Sequence, residues 1–207
     1  SLFLLIAFLL APSSFGPASA FAAPSLAEMA RLQAVNPGAR DKVLSLFAGY
    51  ASLGLWKEAG AYLEQKIHLA ELTREEAAPL FEKIVVEQSR WDDPAFHIEI
   101  CEMAIRSGIR TPLILYAYGT ELRLAGRLTD ASSILSQIGA GSRLYPFALY
   151  AIGQIAAEEG NAGAALEIFR RVRLLVKDRP ELGFLGRRVV RSQAELHLIS
   201  GRPAEAV

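Results

Sequence analysis

Cysteine is nearly absent: Cys101 is the one thiol in 207 residues, which excludes an internal disulfide framework and any multi-cysteine metal site. It stands in Ile98-Glu-Ile-Cys101-Glu-Met103-Ala104 at the apolar spacing of a helix core, so a buried, inert thiol is expected rather than a nucleophile. Histidine is almost as scarce. His68, His97 and His197 lie far apart, without His-Glu-x-x-His or any other ligand spacing, and read as surface or packed residues. Net charge is missing as well, because 22 basic residues meet 22 acidic ones; the total implies neither nucleic acid nor an anionic membrane surface. No phosphate loop occurs, since Gly139-Ala140-Gly141 has no Lys-Ser/Thr behind it. Glu75-Glu76 and Glu158-Glu159 fall at helix ends and read as solvated charge. These absences point to a chain with no catalytic residues, no cofactor and no metal.

Charge is wholly missing from residues 1 to 27. Residues 2 to 11 are continuously apolar, the length of a signal-peptide core and too short to span a bilayer unaided. Ala18-Ser19-Ala20 and Ala20-Phe21-Ala22 then supply small residues at the spacing of a cleavage site. The pattern predicts a signal peptide over 1–22 and an exported chain, periplasmic or extracellular after cleavage. The competing reading is an uncleaved membrane anchor. Residues 25–38 read as a lead-in helix ended by the turn signal Asn36-Pro37-Gly38. Ser1 follows no Met, and Val207 falls inside an unfinished helix pair, so both ends are expected to continue.

What is abundant is repetition. Pro112-Leu-Ile-Leu115-Tyr116-Ala117-Tyr118-Gly119 returns 34 residues on as Pro146-Phe-Ala-Leu149-Tyr150-Ala151-Ile152-Gly153, and Gly126 and Ala131 return as Gly160 and Ala165. Leu115, Tyr118, Gly119 and Leu122 recur at the three-and-four spacing of a buried helical stripe. A second arm follows each, with Ala131 and Leu135 matched by Ala165 and Phe169. Gly54, Ala59 and Leu63 repeat the same intervals behind a stripe of Val43, Leu46, Phe47 and Tyr50. Between them, Thr73 with Glu76 is a capping-box start, and Asp92-Asp93-Pro94 opens a second arm with an N-cap and an early proline. That hairpin's register stays open, because Phe96 and His97 fit the small-residue position equally poorly. Beyond Pro180 the interval to the next turn glycine, Gly201, is seven residues too long. Either the first helix is longer by about two turns, which keeps its faces in phase, or residues 182–186 form a looser connection.

A 34-residue period of paired helices, with Ile152-Gly153, Ala165 and Phe169 at their places, resembles a tetratricopeptide repeat array. Leu replaces the family's tryptophan in both clear copies, and Leu122 and Ala156 replace its aromatic. The resemblance implies an all-α superhelical solenoid of antiparallel helix pairs over 39–207, in hairpins of about 39–70, 73–108, 111–141, 145–179 and a truncated 181–207. Gly119, Gly153, Ala131 and Ala165 are then the places where helices must approach closely.

The resemblance also implies a concave groove lined by first helices, binding an extended protein or peptide partner. Counting from the match, its places fall on Leu113, Tyr116, Thr120 and Arg123, then Phe147, Tyr150, Gln154 and Ala157, then Arg188, Arg191, Glu195 and Leu198. Tyr116 and Tyr150 stack in adjacent repeats, and their hydroxyls suit a ligand's amides or sugar hydroxyls; they equally suit packing between neighbouring hairpins. Arg123, Arg188 and Arg191 suit a carboxylate. The first hairpin's places, Asp41, Leu44, Ala48 and Ala51, carry little chemistry. The expectation is a non-catalytic interaction scaffold of the cell envelope, with no nucleic acid, membrane contact only through the N-terminal segment, and self-association left open. Two alternatives stand beside it: an accessory of envelope polysaccharide export or secretion, and the helical arm of an enzyme whose catalytic domain lies downstream.

Overall fold

The computed structural model describes residues 40–88 and 93–199. The segments read as leader and lead-in helix, and the last turn with Gly201, lie outside the described residues. Those described form nine α-helices and one short 3-10 turn, with no strand. The chain divides into two compact units, residues 1–114 and 115–207. In the first, α1 (Arg40–Ser52), α2 (Trp56–His68), α3 (Arg74–Gln88) and α4 (Pro94–Arg106) follow one another. The second holds most of α5 (Pro112–Leu124), then α6 (Leu128–Leu135), α7 (Tyr145–Glu158), α8 (Ala162–Val176), the 3-10 turn Pro180–Leu182 and α9 (Gly183–Ile199). Among the described residues no helix is long and apolar enough to cross a membrane.

The sequence punctuation explains where the helices begin and end. Thr73 and Glu76 form the reciprocal capping box, with Thr73 N–H donating to Glu76 at 3.1 Å and Glu76 N–H donating to Thr73 Oγ1 at 3.2 Å. Asp93 Oδ1 accepts from Phe96 N–H at 3.1 Å, and Pro94 occupies the first turn of α4. At the far ends, Gly126 and Gly160 take φ of +77° and +79°. That left-handed geometry lets Arg127 N–H reach Leu122 O at 2.9 Å and Asn161 N–H reach Ala156 O at 2.8 Å, which satisfies carbonyls the helix leaves open. After the 3-10 turn, α9 runs 17 residues and begins at Gly183. Residues 183–186 are therefore helical and not a looser connection, but among the described residues α9 exceeds the 14-residue α7 by only three, so the excess is not a first helix lengthened by two turns.

In the first unit, Val43, Leu46 and Phe47 of α1 are buried together with Ala59 and Leu63 of α2, and α2 packs on α3 and α4. The register left open in the second hairpin is resolved by position. His97 is the fourth residue of α4, as Ala59, Ala131 and Ala165 are of α2, α6 and α8. It stands 34 residues before Ala131, and Cys101 stands 34 before Leu135. Both are buried. The volumes are thus exchanged: a histidine holds the small place, and a cysteine holds the place that is leucine or phenylalanine elsewhere. Lys66 is also buried, its ammonium 2.7 Å from Glu71 and 5.5 Å from the Tyr62 ring centre.

The second unit shows why the small residues recur. A Cβ on Gly119 would lie 2.5 Å from Leu135 Cγ, and one on Gly153 would lie 2.6 Å from Phe169 Cε1. Leu135 and Phe169 are each about 1% exposed, and Ala131 and Ala165 are fully buried. Each large side chain of a second arm therefore occupies the space that a missing side chain leaves on the first. Gly153→Ala should lower stability by ~1–3 kcal/mol despite alanine's better helix propensity, because the new Cβ would force the buried Phe169 ring to shift. Gly153→Leu should cost more. Melting measured by far-UV circular dichroism checks both, and an unchanged Gly153→Leu transition would refute the close approach.

Candidate functional site

All eight residues assigned to a partner-binding face lie in the second unit, on α5, α7 and α9. The fourfold spacing of Tyr116 and Thr120, of Tyr150 and Gln154, and of Arg191 and Glu195 puts each pair on one side of its helix. The structure brings most of them into one electrostatic neighbourhood. Burial pushes the Tyr116 phenol up to about 12, with a further push from Tyr150, while the charges of Arg123 and Arg188 pull the other way. Arg191 feels Glu195 first, through a hydrogen bond, and Tyr150 more weakly.

The individual placements differ. Tyr116 is 4% exposed and Tyr150 is 6% exposed, so both pack between helices, the second of the two roles their positions allowed. The Tyr116 ring meets Phe147 edge-on at 6.4 Å, and Phe147 lies 5.9 Å from Phe184, giving an aromatic row across three helices. Tyr150 lies 5.6 Å from Phe169. Its hydroxyl is 3.1 Å from Ser192 Oγ and accepts from Gln154 Nε2 at 3.4 Å. Gln154 is thereby engaged. Thr120 donates its hydroxyl to Tyr116 O at 2.9 Å and Ala117 O at 2.8 Å, within its own helix, which leaves only its oxygen as an acceptor for a partner.

The exposed arginines of this face are on α9, whereas the Arg123 side chain is only 19% exposed. Arg123 pairs with Glu158 of α7, and its buried Nε has no hydrogen-bond partner. This corrects the reading of Glu158 as merely solvated. Arg191 pairs with Glu195 at 2.8 Å along α9, and both are exposed. Arg188 is exposed and has no ion-pair partner among the described residues. Three arginines thus stand near buried aromatic rings and engaged hydroxyls. They offer hydrogen-bond donors to a carboxylate.

Two contributors were missed from sequence. Ser192 lies four residues beyond Arg188, so the helical spacing that selected Arg188 would also have selected it. Phe184 precedes Arg188 by four and completes the aromatic row. Among the described residues no three His, Cys, Asp or Glu side chains gather as a metal site.

Two consequences are measurable. Tyr150→Phe should cost about 1 kcal/mol, the net worth of its hydrogen bonds, whereas Tyr150→Ala should cost ~3–5 kcal/mol through loss of a buried ring; equal effects on melting would contradict this packing. Tyr116 is raised from 10.0 to about 12, so its neutral form is favoured in the folded chain. Its stabilisation is complete below pH 10 and is lost as pH rises through 12. Tyr116→Phe should therefore flatten the stability–pH curve over that window, measured by urea unfolding across the alkaline range. No protein-family model matches the chain, and no curated protein matches it.

Proposed function

We propose that the chain is a non-catalytic interaction scaffold of the cell envelope, a tetratricopeptide-like superhelix that holds an extended segment of a partner protein in its concave groove. The supporting observation is that Arg123 and Arg188 stand near enough to Tyr116, and Arg191 to Tyr150, to act on them electrostatically. Arg188 has no acid of its own among the described residues, so it is the side chain most available to a partner's carboxylate. The aromatic row of the buried Tyr116 and Phe147 with Phe184 packs together α5, α7 and α9, the first and last of which carry these arginines. The 34-residue recurrence of His97, Ala131 and Ala165 supports the repeat reading. Export rests on the apolar run of residues 2–11 and the small residues after it. The step from array to scaffold is an argument from fold resemblance, and the arginines give it a surface to test.

The test uses the exposed arginines, because they can be changed without opening the core. Arg188→Glu combined with Arg191→Glu should reduce capture of the partner from an envelope extract at least tenfold, with far-UV helicity and melting unchanged. Recovery equal to wild type would move the function to another surface. A retained glycan in place of a protein would instead favour the role in polysaccharide export.

A further inference from the structure

The zero net charge hides a strongly uneven distribution. Residues 170–179 carry five basic side chains and one acidic one, Asp178, and Asp178 lies 3.8 Å from Lys177. Where the end of α8 meets the loop leading into α7, a notch of about 130 Å³ opens, lined by Ser142, Arg143, Tyr145, Pro146, Leu175 and Arg179 with the backbone of residues 140–141. No carboxylate lines it. Arg143 and Arg179 have no ion-pair partner among the described residues, whereas Arg106, Arg123, Arg127, Arg170 and Arg191 each have one.

Two hydroxyls also line the notch, those of Ser142 and Tyr145. Leu144 N–H donates to Ser142 Oγ at 3.1 Å, and the Arg171 guanidinium donates to the Tyr145 hydroxyl at 3.5 Å. Each hydroxyl oxygen already accepts, so each keeps its own proton to give. The lining therefore holds two guanidinium groups and two hydroxyls with protons to give, and a third arginine, Arg171, is hydrogen-bonded to Tyr145. An anion seated in the notch would be attracted by both guanidinium groups. A carboxylate has two oxygens and would leave part of this donor set unused. A phosphate offers three or more acceptors in a tetrahedral spread and matches the fork geometry of arginine.

We propose that this notch binds the phosphate group of an anionic ligand, carried either by a free phosphomonoester or by a phospholipid headgroup. The site is separate from the α5, α7 and α9 face and does not depend on the scaffold reading. The test has two arms, both with the full chain. In the first, glycerol 3-phosphate is titrated by calorimetry at low ionic strength. In the second, the chain is floated with phosphatidylcholine vesicles with and without phosphatidic acid, and binding to the vesicles without it, which reports the apolar N-terminal run, is subtracted. Saturable binding in either arm should weaken at least tenfold in Arg143→Ala/Arg179→Ala and stay within twofold in Arg173→Ala/Arg187→Ala, which removes equal charge outside the notch. Circular dichroism confirms that both variants remain folded. The tighter arm names the source of the phosphate. No saturable binding in either arm, or equal weakening in the two double variants, would overturn the site.

Discussion

The closest constraint in the second unit is the approach of paired arms at two glycines. Leu135 stands against Gly119, and Phe169 stands against Gly153, at separations where a Cβ would fall inside the neighbouring side chain. Burying a large side chain across a bare backbone removes apolar surface from water and fills the interhelical space in one step. It also fixes the hairpin's register, because sliding by one residue would set the ring against a side chain. The rest of the unit inherits its geometry from that contact. Phe169, once seated on α7, presents its ring to Tyr150 at 5.6 Å, and the Tyr150 hydroxyl is then carried to Ser192 of α9. A backbone choice at one position thus reaches the third helix through two aromatic rings.

That chain of contacts explains why the tyrosines and the arginines of the candidate face play different parts. A tyrosine can bury its ring and keep its hydroxyl hydrogen-bonded, and Tyr150 does so against Ser192 and Gln154. An arginine beside it cannot lose its charge, so it remains near solvent or takes an acid. Arg123 takes Glu158, and Arg191 takes Glu195. The exposed pair along α9 adds little stability in water. Its effect is on position, since it holds Arg191 along α9 while Arg188, one turn earlier, stays without an acid. The partner-binding capacity proposed for this face therefore resides in its arginines, with the packed aromatic rings setting where they stand.

Much of the helix order was legible because its signals are local. The capping box at Thr73 and Glu76, the cap at Asp93 and the turn glycines at 126 and 160 each satisfy backbone groups within a few residues. The 34-residue recurrence carried the paired arms. The second hairpin resisted because the cue sought was a small residue, and His97 is not small. Its partner place holds Cys101, so the pair conserves volume while either residue alone misleads. Exposure on the candidate face was less legible. Repeat position says which side of a helix a residue is on, but not what the next helix lays over it, and Tyr116 is covered by exactly such a neighbour in Phe147. Glu158 was misread for the same reason: its partner Arg123 is 35 residues away.

Charge was the other signal that averaging concealed. A sum of zero over 207 residues is compatible with a stretch of five basic residues and one acidic one between 170 and 179. Field depends on local distribution, with a screening length of about 8–10 Å in physiological salt; Glu167 pairs with Arg170 and Asp178 lies beside Lys177, which leaves Arg179 without an acid among the described residues. The fold then adds what sequence distance hides. Arg143 belongs to the loop before α7, and Arg179 follows α8, yet antiparallel pairing of α7 and α8 brings the start of one to the end of the other. The same hairpin geometry that seats Phe169 on Gly153 thus gathers like charges from separate stretches at its open end.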